Sequence, residues 1–263
     1  MQKNRILDAV IFDWAGTIID YGSLATIIAI KKIFNKKNIK VTHYQIQKDM
    51  GVKKIIHLKK ILNLKNVNKQ WENNFGKKVN KKDLNILSKE LDEELLNQIE
   101  KKTRFIKGFI NAVKFLKSKK IKIGTTTGYS RAILNKILNI TKKMGFIPNA
   151  AVSVSDVKKG RPHGDMCLKN LKLLKLNEPK KCIKIDDSIS GIKEGNNAGM
   201  ITVGVSLSGI QVGLSYNNFK KLNKKKMNRI KKKITKKFIL NGANYVIDDV
   251  SKLPVFLKQN FNL

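Results

Sequence analysis

The chain has 263 residues and a formal net charge of +36 at pH 7. That length allows one α/β core with a smaller inserted unit. The chain has only two cysteines, Cys167 and Cys182, which is too few for a fold stabilised by several disulfides. The segment Met1 to Arg5 leads directly into the first predicted strand without the apolar stretch of a signal peptide, and no apolar run approaches the length of a membrane span. We therefore expect a soluble cytoplasmic protein with free thiols and no membrane partner.

The positive charge is typical of a nucleic-acid-binding protein, but the kind of basic residue argues against one. A protein that contacts phosphates or base edges is expected to use the bidentate guanidinium group more freely than this lysine-rich chain does. The most basic segment, Lys220 to Lys237, carries apolar residues at helical spacing and predicts a surface helix with one apolar stripe, formed by Met227, Ile230, Ile234 and Phe238. We therefore attribute the lysine excess to a biased coding sequence and expect no nucleic-acid partner.

The first predicted strand ends on a carboxylate. An apolar, β-branched run follows Asp8 and stops at Asp13, before a turn that contains Gly16. A buried strand that stops on an acid places its carboxylate at the carboxyl end of a sheet, where open α/β folds bind their ligands. Asp13 is therefore the candidate reacting group, with capping of the following turn as the alternative role.

The sequence pattern between residues 22 and 103 is helical. Ser23 is the predicted N-cap of the first helix, whose apolar face includes Leu24, Ile27 and Phe34. Further helices are predicted at about 43–50, 52–63, 67–76 and 82–102. With no convincing strand among them, these residues predict an all-helical block inserted after the first strand.

From Phe105 onwards strands and helices alternate. Strands are predicted at 121–127, 151–155, 182–186, 201–205 and 245–247, with helices at about 108–118, from 130, 165–175 and 189–198. Alternation of this kind predicts a parallel sheet covered on both faces. We predict an α/β fold with a doubly wound, Rossmann-like parallel sheet, in which residues 1–21 and 104–263 form the core and residues 22–103 form a helical cap. The polar residues that end several strands, Asp13, Thr127, Asp186 and Asp187, are expected to converge on one edge of the sheet.

Four segments occur in an order that suggests a family: Asp13-Trp14-Ala15-Gly16-Thr17, Thr127-Gly128-Tyr129, Gly160-Arg161-Pro162 and Asp186-Asp187-Ser188. They resemble the successive motifs of the haloacid dehalogenase superfamily of phosphotransferases. The position of the insert and the segment Met50-Gly51-x-x-Lys54-x-x-His57 are similar to the phosphonoacetaldehyde hydrolase (phosphonatase) family. This resemblance implies hydrolysis of phosphonoacetaldehyde to acetaldehyde and phosphate by a homodimer joined through its caps.

The resemblance also implies roles for individual residues. Asp13 is expected to attack phosphorus and form an aspartyl phosphate, which divides one difficult displacement into two easier ones. A Mg²⁺ ion is expected between nucleophile and substrate, held by Asp13, Asp187, Asp186 and the backbone carbonyl of Ala15. The remaining substrate contacts are expected from Thr127, Gly128, Tyr129, Arg161 and Met50.

Ala15 separates this chain from the ordinary phosphatases of the superfamily, which it otherwise resembles. Those enzymes carry a second acid two residues after the nucleophile to protonate an alkoxide leaving group. Cleavage of a C–P bond instead requires stabilisation of a carbanion-like leaving group, and Lys54 provides it if its amine forms an imine with the substrate aldehyde. Apolar burial or nearby cations are expected around Lys54, because either favours the neutral amine that attacks a carbonyl.

If residues 50–61 are helical, Met50, Lys54, His57 and Ile61 share one face, and His57 lies within reach of the Lys54 amine. His57 is then expected to take part in proton transfer. Without the motif spacing, neighbouring Lys53 would serve equally well as the amine, and His57 would be interpreted as a packed histidine.

The chain departs from the family pattern at two places that concern the site. Ser23 stands where the family commonly has a cysteine. The family's Gly-Asp-x-x-x-Asp appears as Asp186-Asp187 followed by Gly191, so that the distal acid is missing and a new one precedes Asp187. We expect metal binding to survive with a shifted set of ligands. Two other functions remain open on the sequence: a Mg²⁺-dependent phosphatase or phosphomutase of the same superfamily, and a non-catalytic basic scaffold that binds nucleic acid.

Overall fold

The computed structural model describes residues 6–263 and is built on a parallel sheet of six strands. The predicted α/β class is confirmed. The strand order is β3-β2-β1-β4-β5-β6, and each strand pairs in parallel with its neighbours. Residues 1–5, to which the expectation of no signal peptide applied, lie outside the described part of the chain. The strands are β1 (Ala9–Asp13), β2 (Lys122–Thr127), β3 (Ala150–Ser153), β4 (Cys182–Asp186), β5 (Ile201–Val205) and β6 (Tyr245–Ile247).

Helices cover both faces of the sheet because strand side chains alternate between its faces. Val10 and Phe12 of β1 belong to the larger apolar cluster, whereas Ile11 packs with Cys167 and Leu171 on the opposite side. All five residues of β1 are buried, which explains why its sequence is apolar on both faces. The helices after β1 that belong to the α/β part are α6 (Phe109–Ser118), α7 (Arg131–Lys143), α8 (Asp165–Leu174), α9 (Ile189–Asn197), α10 (Tyr216–Lys220), α11 (Lys224–Leu240) and α12 (Leu253–Asn260).

Six helices separate β1 from β2 along the chain, and five of them form the helical block between residues 22 and 103 that the sequence pattern predicts. These five are α1 (Leu24–Asn35), α2 (His43–Gln47), α3 (Lys54–Leu62), α4 (Lys65–Phe75) and α5 (Lys81–Lys102). Helix α5 begins with a capping box in which Asn80 accepts the backbone N–H of Asp83 and Asp83 accepts that of Asn80. Its buried residues join those of α1 in an apolar cluster that continues into the sheet. The inserted helices therefore rest on the core through shared apolar contacts.

Two local predictions were wrong. Ser23 precedes α1, but its side chain caps nothing; the Asp20 carboxylate accepts the Ala25 N–H at 2.8 Å instead. Helix α3 begins only at Lys54, so Met50 lies in the turn before it and does not share a helical face with Lys54 and His57. Ser23 and Met50 thus both belong to loops near the sheet edge, and neither contributes to the helix that follows it as the sequence predicts.

The basic segment forms helix α11 with an apolar stripe, as predicted. Ile234 and Phe238 are buried, Met227 and Ile230 are half-buried, and the lysines between them face outward. Both cysteines are buried and unpaired. Within residues 6–263, no helix combines the length and apolarity that crossing a bilayer requires.

We expect the Asp20→Asn variant to gain stability relative to wild type as the pH rises. Burial raises the pKa of Asp20 to about 6 from its ordinary 3.8, partly offset by the backbone N–H groups of Ala25 and Leu24. Between pH 4 and 6 the folded state therefore keeps a proton on Asp20 that the unfolded state releases. As the pH rises through 6, the folded state must bury a charged carboxylate, and wild type loses the stability that it has below pH 4. The difference in unfolding free energy between variant and wild type should change by about 3 kcal/mol in favour of the variant between pH 4 and 8.

Urea denaturation at several pH values measures this difference. Asp83→Asn is the matched control, because the backbone N–H of Asn80 lowers the pKa of Asp83, which stays ionised over the same range. Its difference from wild type should be constant between pH 4 and 8. A constant difference for Asp20→Asn as well would contradict the prediction.

Candidate active site

Strand register brings the acidic side chains together. Asp13 ends β1 opposite Thr126 of β2, and Phe12 lies opposite Ile185 of β4, so Asp186 follows directly beside Asp13. The strand order reverses between β1 and β4, and doubly wound sheets bind ligands in the crevice at such a switch point. One oxygen each from Asp13, Asp186 and Asp187 lies within 4.8 Å of the others, and all three residues are buried.

Two buried cations face these carboxylates. The Arg161 Nη2 atom lies 2.8 Å from Asp13 Oδ1 and 3.0 Å from Asp186 Oδ2, and its Nε donates to Glu194 Oε2 at 2.9 Å. Lys184, which is fully buried, lies 3.0 Å from Asp186 Oδ2 and 3.5 Å from Glu194 Oε2. The cluster of Asp13, Asp186, Asp187, Glu194, Arg161 and Lys184 thus contains four carboxylates and two cations, a formal charge of −2 when all are ionised.

The pKa values of the carboxylates reflect this crowding. Burial and the neighbouring Asp186 raise the pKa of Asp13 to about 6, against the lowering effect of Arg161. Burial, Asp13 and Asp186 raise the pKa of Asp187 well above its ordinary value. For Asp186 the penalty of burial is outweighed by Arg161 and Lys184, which keep its pKa low. The arrangement therefore favours a bound cation, since a positive charge would relieve the repulsion that raises the pKa values of Asp13 and Asp187.

Asp186 occupies the space that a side chain at position 191 would fill. A Cβ placed on Gly191 would lie 2.0 Å from Asp186 Cγ. The Asp186 Oδ1 atom accepts the backbone N–H of Ser188 at 2.9 Å and its hydroxyl at 2.7 Å, which fixes the carboxylate over the start of α9. The Asp186 carboxylate therefore requires a residue without a side chain at position 191, and Gly191 meets that requirement.

The acidic cluster opens into a cavity of about 560 Å³ between the sheet edge and the inserted helices. Ten of the eleven residues that the sequence predicts for the site line this cavity, while Asp186 is fully buried and outside its lining. The cavity-lining residues among them are Asp13, Ala15, Met50, Lys54, His57, Thr127, Gly128, Tyr129, Arg161 and Asp187. Side chains from both parts of the chain therefore face one enclosed space.

Direct polar contacts hold the loop before α3 over the sheet edge. The Ser190 hydroxyl donates to the Gly51 carbonyl at 2.5 Å, and the Gln47 side-chain amide donates to the Ile210 carbonyl. On the core side, Ser23 Oγ donates to Asp187 Oδ2 at 2.9 Å. These contacts join the segment before α3 to the sheet edge.

The surroundings of Lys54 differ from those that the sequence predicts. Its amine donates to Asp92 Oδ2 at 2.6 Å and to the Ser88 carbonyl at 3.0 Å, and its side chain is 29% exposed. The expectation of an apolar or cationic neighbourhood was wrong, because the nearest charged group is an acid. The His57 ring is buried, and its Nε2 lies 2.7 Å from the Ile46 carbonyl. A catalytic part for His57 stays a prediction.

Tyr129 closes another side of the cavity through a hydrogen bond between its hydroxyl and that of Thr26 at 3.0 Å. Burial, together with the nearby carboxylates, raises its pKa, so the hydroxyl stays protonated at neutral pH.

Sequence reasoning missed four polar groups at the site: Lys184, Glu194, Asp92 and Ser88. The sequence does carry a signal for Lys184, because it lies inside the buried strand Cys182–Asp186. A buried strand seldom carries an unpaired charge, so an acidic partner for Lys184 could have been expected. Asp92 and Ser88 lie among several acids and polar residues of α5, and nothing in the spacing distinguishes them.

We expect Gly191→Ala to destabilise the protein by about 1 to 3 kcal/mol, because its Cβ overlaps the Asp186 carboxylate. Alanine is otherwise the better helix former in α9, so propensity alone predicts the opposite sign. Gly128→Ala is the control, as a Cβ there meets nothing within 4 Å. Thermal unfolding measures the loss, and equal stability of Gly191→Ala and wild type would refute the steric pairing.

Comparisons with known proteins agree with this geometry. Residues 7–199 match the family described as haloacid dehalogenase-like hydrolase. A phosphonoacetaldehyde hydrolase from Bacillus cytotoxicus is 34% identical over 248 residues, 94% of each chain, and one from Hahella chejuensis is 36% identical over 94% of this chain and 84% of its own. A crystal structure of a phosphonoacetaldehyde hydrolase-like protein from Oleispira antarctica matches with a TM-score of 0.93 at 32% identity, covering 98% of this chain and 95% of that one. The chain therefore belongs to the haloacid dehalogenase-like hydrolases and, within them, to the phosphonoacetaldehyde hydrolase family.

Proposed function

We propose that this protein hydrolyses phosphonoacetaldehyde to acetaldehyde and phosphate. The observation that carries the proposal is that an acid at the sheet edge, Asp13, and an amine on the inserted helices, Lys54, line one cavity. We assign residues 22–103 to a cap and residues 1–21 and 104–263 to the core, so that each part contributes one reacting group. Closure of the cap excludes water while both ends of a small substrate are held.

At the phosphorus end, Asp13 acts as the nucleophile. Its Oδ1 is held by Arg161 at 2.8 Å, which leaves Oδ2 with only a long contact of 3.5 Å from the Thr17 hydroxyl. Attack on phosphorus forms an aspartyl phosphate, and water then releases phosphate and restores the carboxylate. Arg161, Thr127 and the Gly128 amide are suited to bind the non-transferring oxygens, because all three line the cavity around Asp13.

The acidic cluster fits Mg²⁺. Four carboxylates against two cations leave a formal charge of −2, and Asp13, Asp186 and Asp187 each bring one oxygen within 4.8 Å of the others. Asp13, Asp187, Asp186 and the carbonyl of Ala15 would hold the ion, which when bound offsets the repulsion between the attacking carboxylate and the anionic substrate. Arg161, which pairs with Asp13 and Asp186, supplies the permanent part of that compensation.

At the carbonyl end, Lys54 forms an imine with the aldehyde. Protonation converts this imine to an iminium ion, which accepts the electron pair that the C–P bond releases at carbon. Ala15 offers no acid that could fill this role. The amine lies where α3 begins, directly after the loop that Gly51 fastens to the core, so cap closure sets its distance from Asp13. Tyr129 and Met50, which line the same space, bind the substrate between the two ends.

We also propose a homodimer joined through the caps in a cytoplasmic protein. Two apolar side chains on α2 and α3 support the cap interface, since Tyr44 and Ile56 are 71% and 45% exposed and neither lines the cavity. The two unpaired cysteines agree with a reducing compartment.

We expect Mg²⁺ to raise the melting temperature of the protein, and more so at pH 8 than at pH 5.5. Protons and the ion compete for the same carboxylates, and burial with the nearby Asp186 raises the pKa of Asp13 to about 6. Differential scanning fluorimetry with matched ionic strength measures the shift. Asp187→Asn should lose it while Glu90→Gln, on the outer part of α5, retains it. A melting temperature indifferent to Mg²⁺ at both pH values would argue against the site.

Borohydride reduction tests the imine. With phosphonoacetaldehyde present, we expect a stable adduct on the peptide that contains Lys54 and irreversible loss of phosphate release. Lys54→Arg should abolish both, whereas Lys53→Arg, whose side chain position is exposed, should leave both intact. If the protein instead releases phosphate from phosphate esters, and borohydride does not reduce this activity, the result would favour the phosphatase alternative.

A further inference from the structure

Asp92 is the charged group in closest contact with the proposed imine-forming amine. Its Oδ2 accepts from Lys54 Nζ at 2.6 Å, and the Ser88 carbonyl, one helical turn earlier on α5, accepts from the same amine at 3.0 Å. Both residues line the cavity with Asp13. The contact thus faces the space where the substrate carbonyl must approach.

The position of this pair is unlike that of a stabilising salt bridge. The side chains of Lys54 and Asp92 are 29% and 34% exposed, and ion pairs with that much solvent contact contribute little to stability. An acid next to a nucleophilic amine also opposes the loss of its positive charge at rest. The pair is therefore better explained by proton transfer during the reaction than by stability.

Imine formation requires a group that first takes a proton and later returns it. Ser88 offers only a carbonyl, which orients the amine but holds no proton. His57 Nε2 is engaged with the Ile46 carbonyl. Among the hydrogen-bond partners that the described residues provide to the Lys54 amine, Asp92 is the group able to do both.

We propose that Asp92 is the acid–base catalyst of Schiff-base formation at Lys54, an inference that rests on the proposed function. The Asp92 carboxylate removes one proton from the ammonium, and the freed nitrogen lone pair forms the N–C bond while the carbonyl π pair moves to oxygen. A second proton passes from nitrogen to that oxygen and gives a carbinolamine. The Asp92 carboxyl then protonates the hydroxyl, which leaves as water as the C=N bond forms. The lysine nitrogen loses two protons in all, both leave in the water, and Asp92 ends as a carboxylate beside the iminium.

Charge supports this assignment. The ammonium at the start and the iminium at the end are both cations, so the ion pair with Asp92 is kept at either stage, and the neutral amine and carbinolamine coexist with a neutral carboxyl. Other charged or titratable groups that face the same cavity are Lys53, His57, Asp13, Tyr129, Arg161 and Asp187. In the described part of the chain, the hydrogen-bond partners of the Lys54 amine are Asp92 and the Ser88 carbonyl, and none of these other groups.

The test compares Asp92→Asn with Glu90→Gln. Glu90 is the matched control, since it lies on the same helix, pairs with Lys37 at 2.6 Å and is absent from the cavity lining. The measurement is the rate at which borohydride traps the phosphonoacetaldehyde adduct on Lys54, as a function of pH and of added formate. We expect Asp92→Asn to slow trapping by about 10²- to 10⁴-fold near neutral pH, with a rate that rises at higher pH, where solvent removes the proton. Glu90→Gln should behave as wild type.

Formate and a second variant separate chemistry from structure. Formate can enter a partly exposed site, so it should restore part of the rate to Asp92→Asn and leave wild type unchanged, and Asp92→Glu should retain more activity than Asp92→Asn. Unchanged trapping in Asp92→Asn, or slow trapping with neither formate rescue nor a changed pH profile, overturns the inference. Failure of the proposed function is distinguishable, because wild type itself would then form no adduct on Lys54.

Discussion

The structure depends on keeping several like charges buried at one point. Asp13, Asp186 and Asp187 meet where the sheet reverses its strand order, and Arg161 and Lys184 offset only part of their repulsion. The residual negative charge makes the sheet edge a place for a cation and, through that cation, for an anionic substrate. Much of the surrounding sequence serves this arrangement, including the glycine at 191 that leaves room for the Asp186 carboxylate.

The two reacting ends of the proposed site differ in how rigidly they are held. Asp13 is fixed by its strand and by Arg161, with almost no exposure, whereas Lys54 stands at the start of a helix on the cap and is partly open to the cavity. A buried carboxylate has few positions available, which suits a nucleophile that must attack in line. A partly exposed amine can accept, turn and release a small carbonyl compound, and its neighbour Asp92 remains accessible to the same solvent.

The large positive charge of the chain lies apart from this chemistry. Helix α11 carries its lysines outward and its apolar stripe inward, as an ordinary surface helix does. Such a surface raises the local concentration of small anions in a manner that salt screens. The charged residues of the acidic cluster, in contrast, are buried.

Local and repeating patterns were sufficient for the elements and for the meeting of the acidic strand ends, whereas the other predicted site residues came from the resemblance to a family. Alternation of apolar strands with helices predicts the doubly wound sheet, and strand ends predict that Asp13, Asp186 and Asp187 meet, because parallel strands share one carboxyl edge. The pairing of Lys54 with Asp92 and the close approach of the Asp186 carboxylate to Gly191 were decided by the tertiary structure alone. These contacts join residues that are distant along the chain or lie on different elements, so their geometry depends on how helices pack and where a strand ends, which no periodicity records.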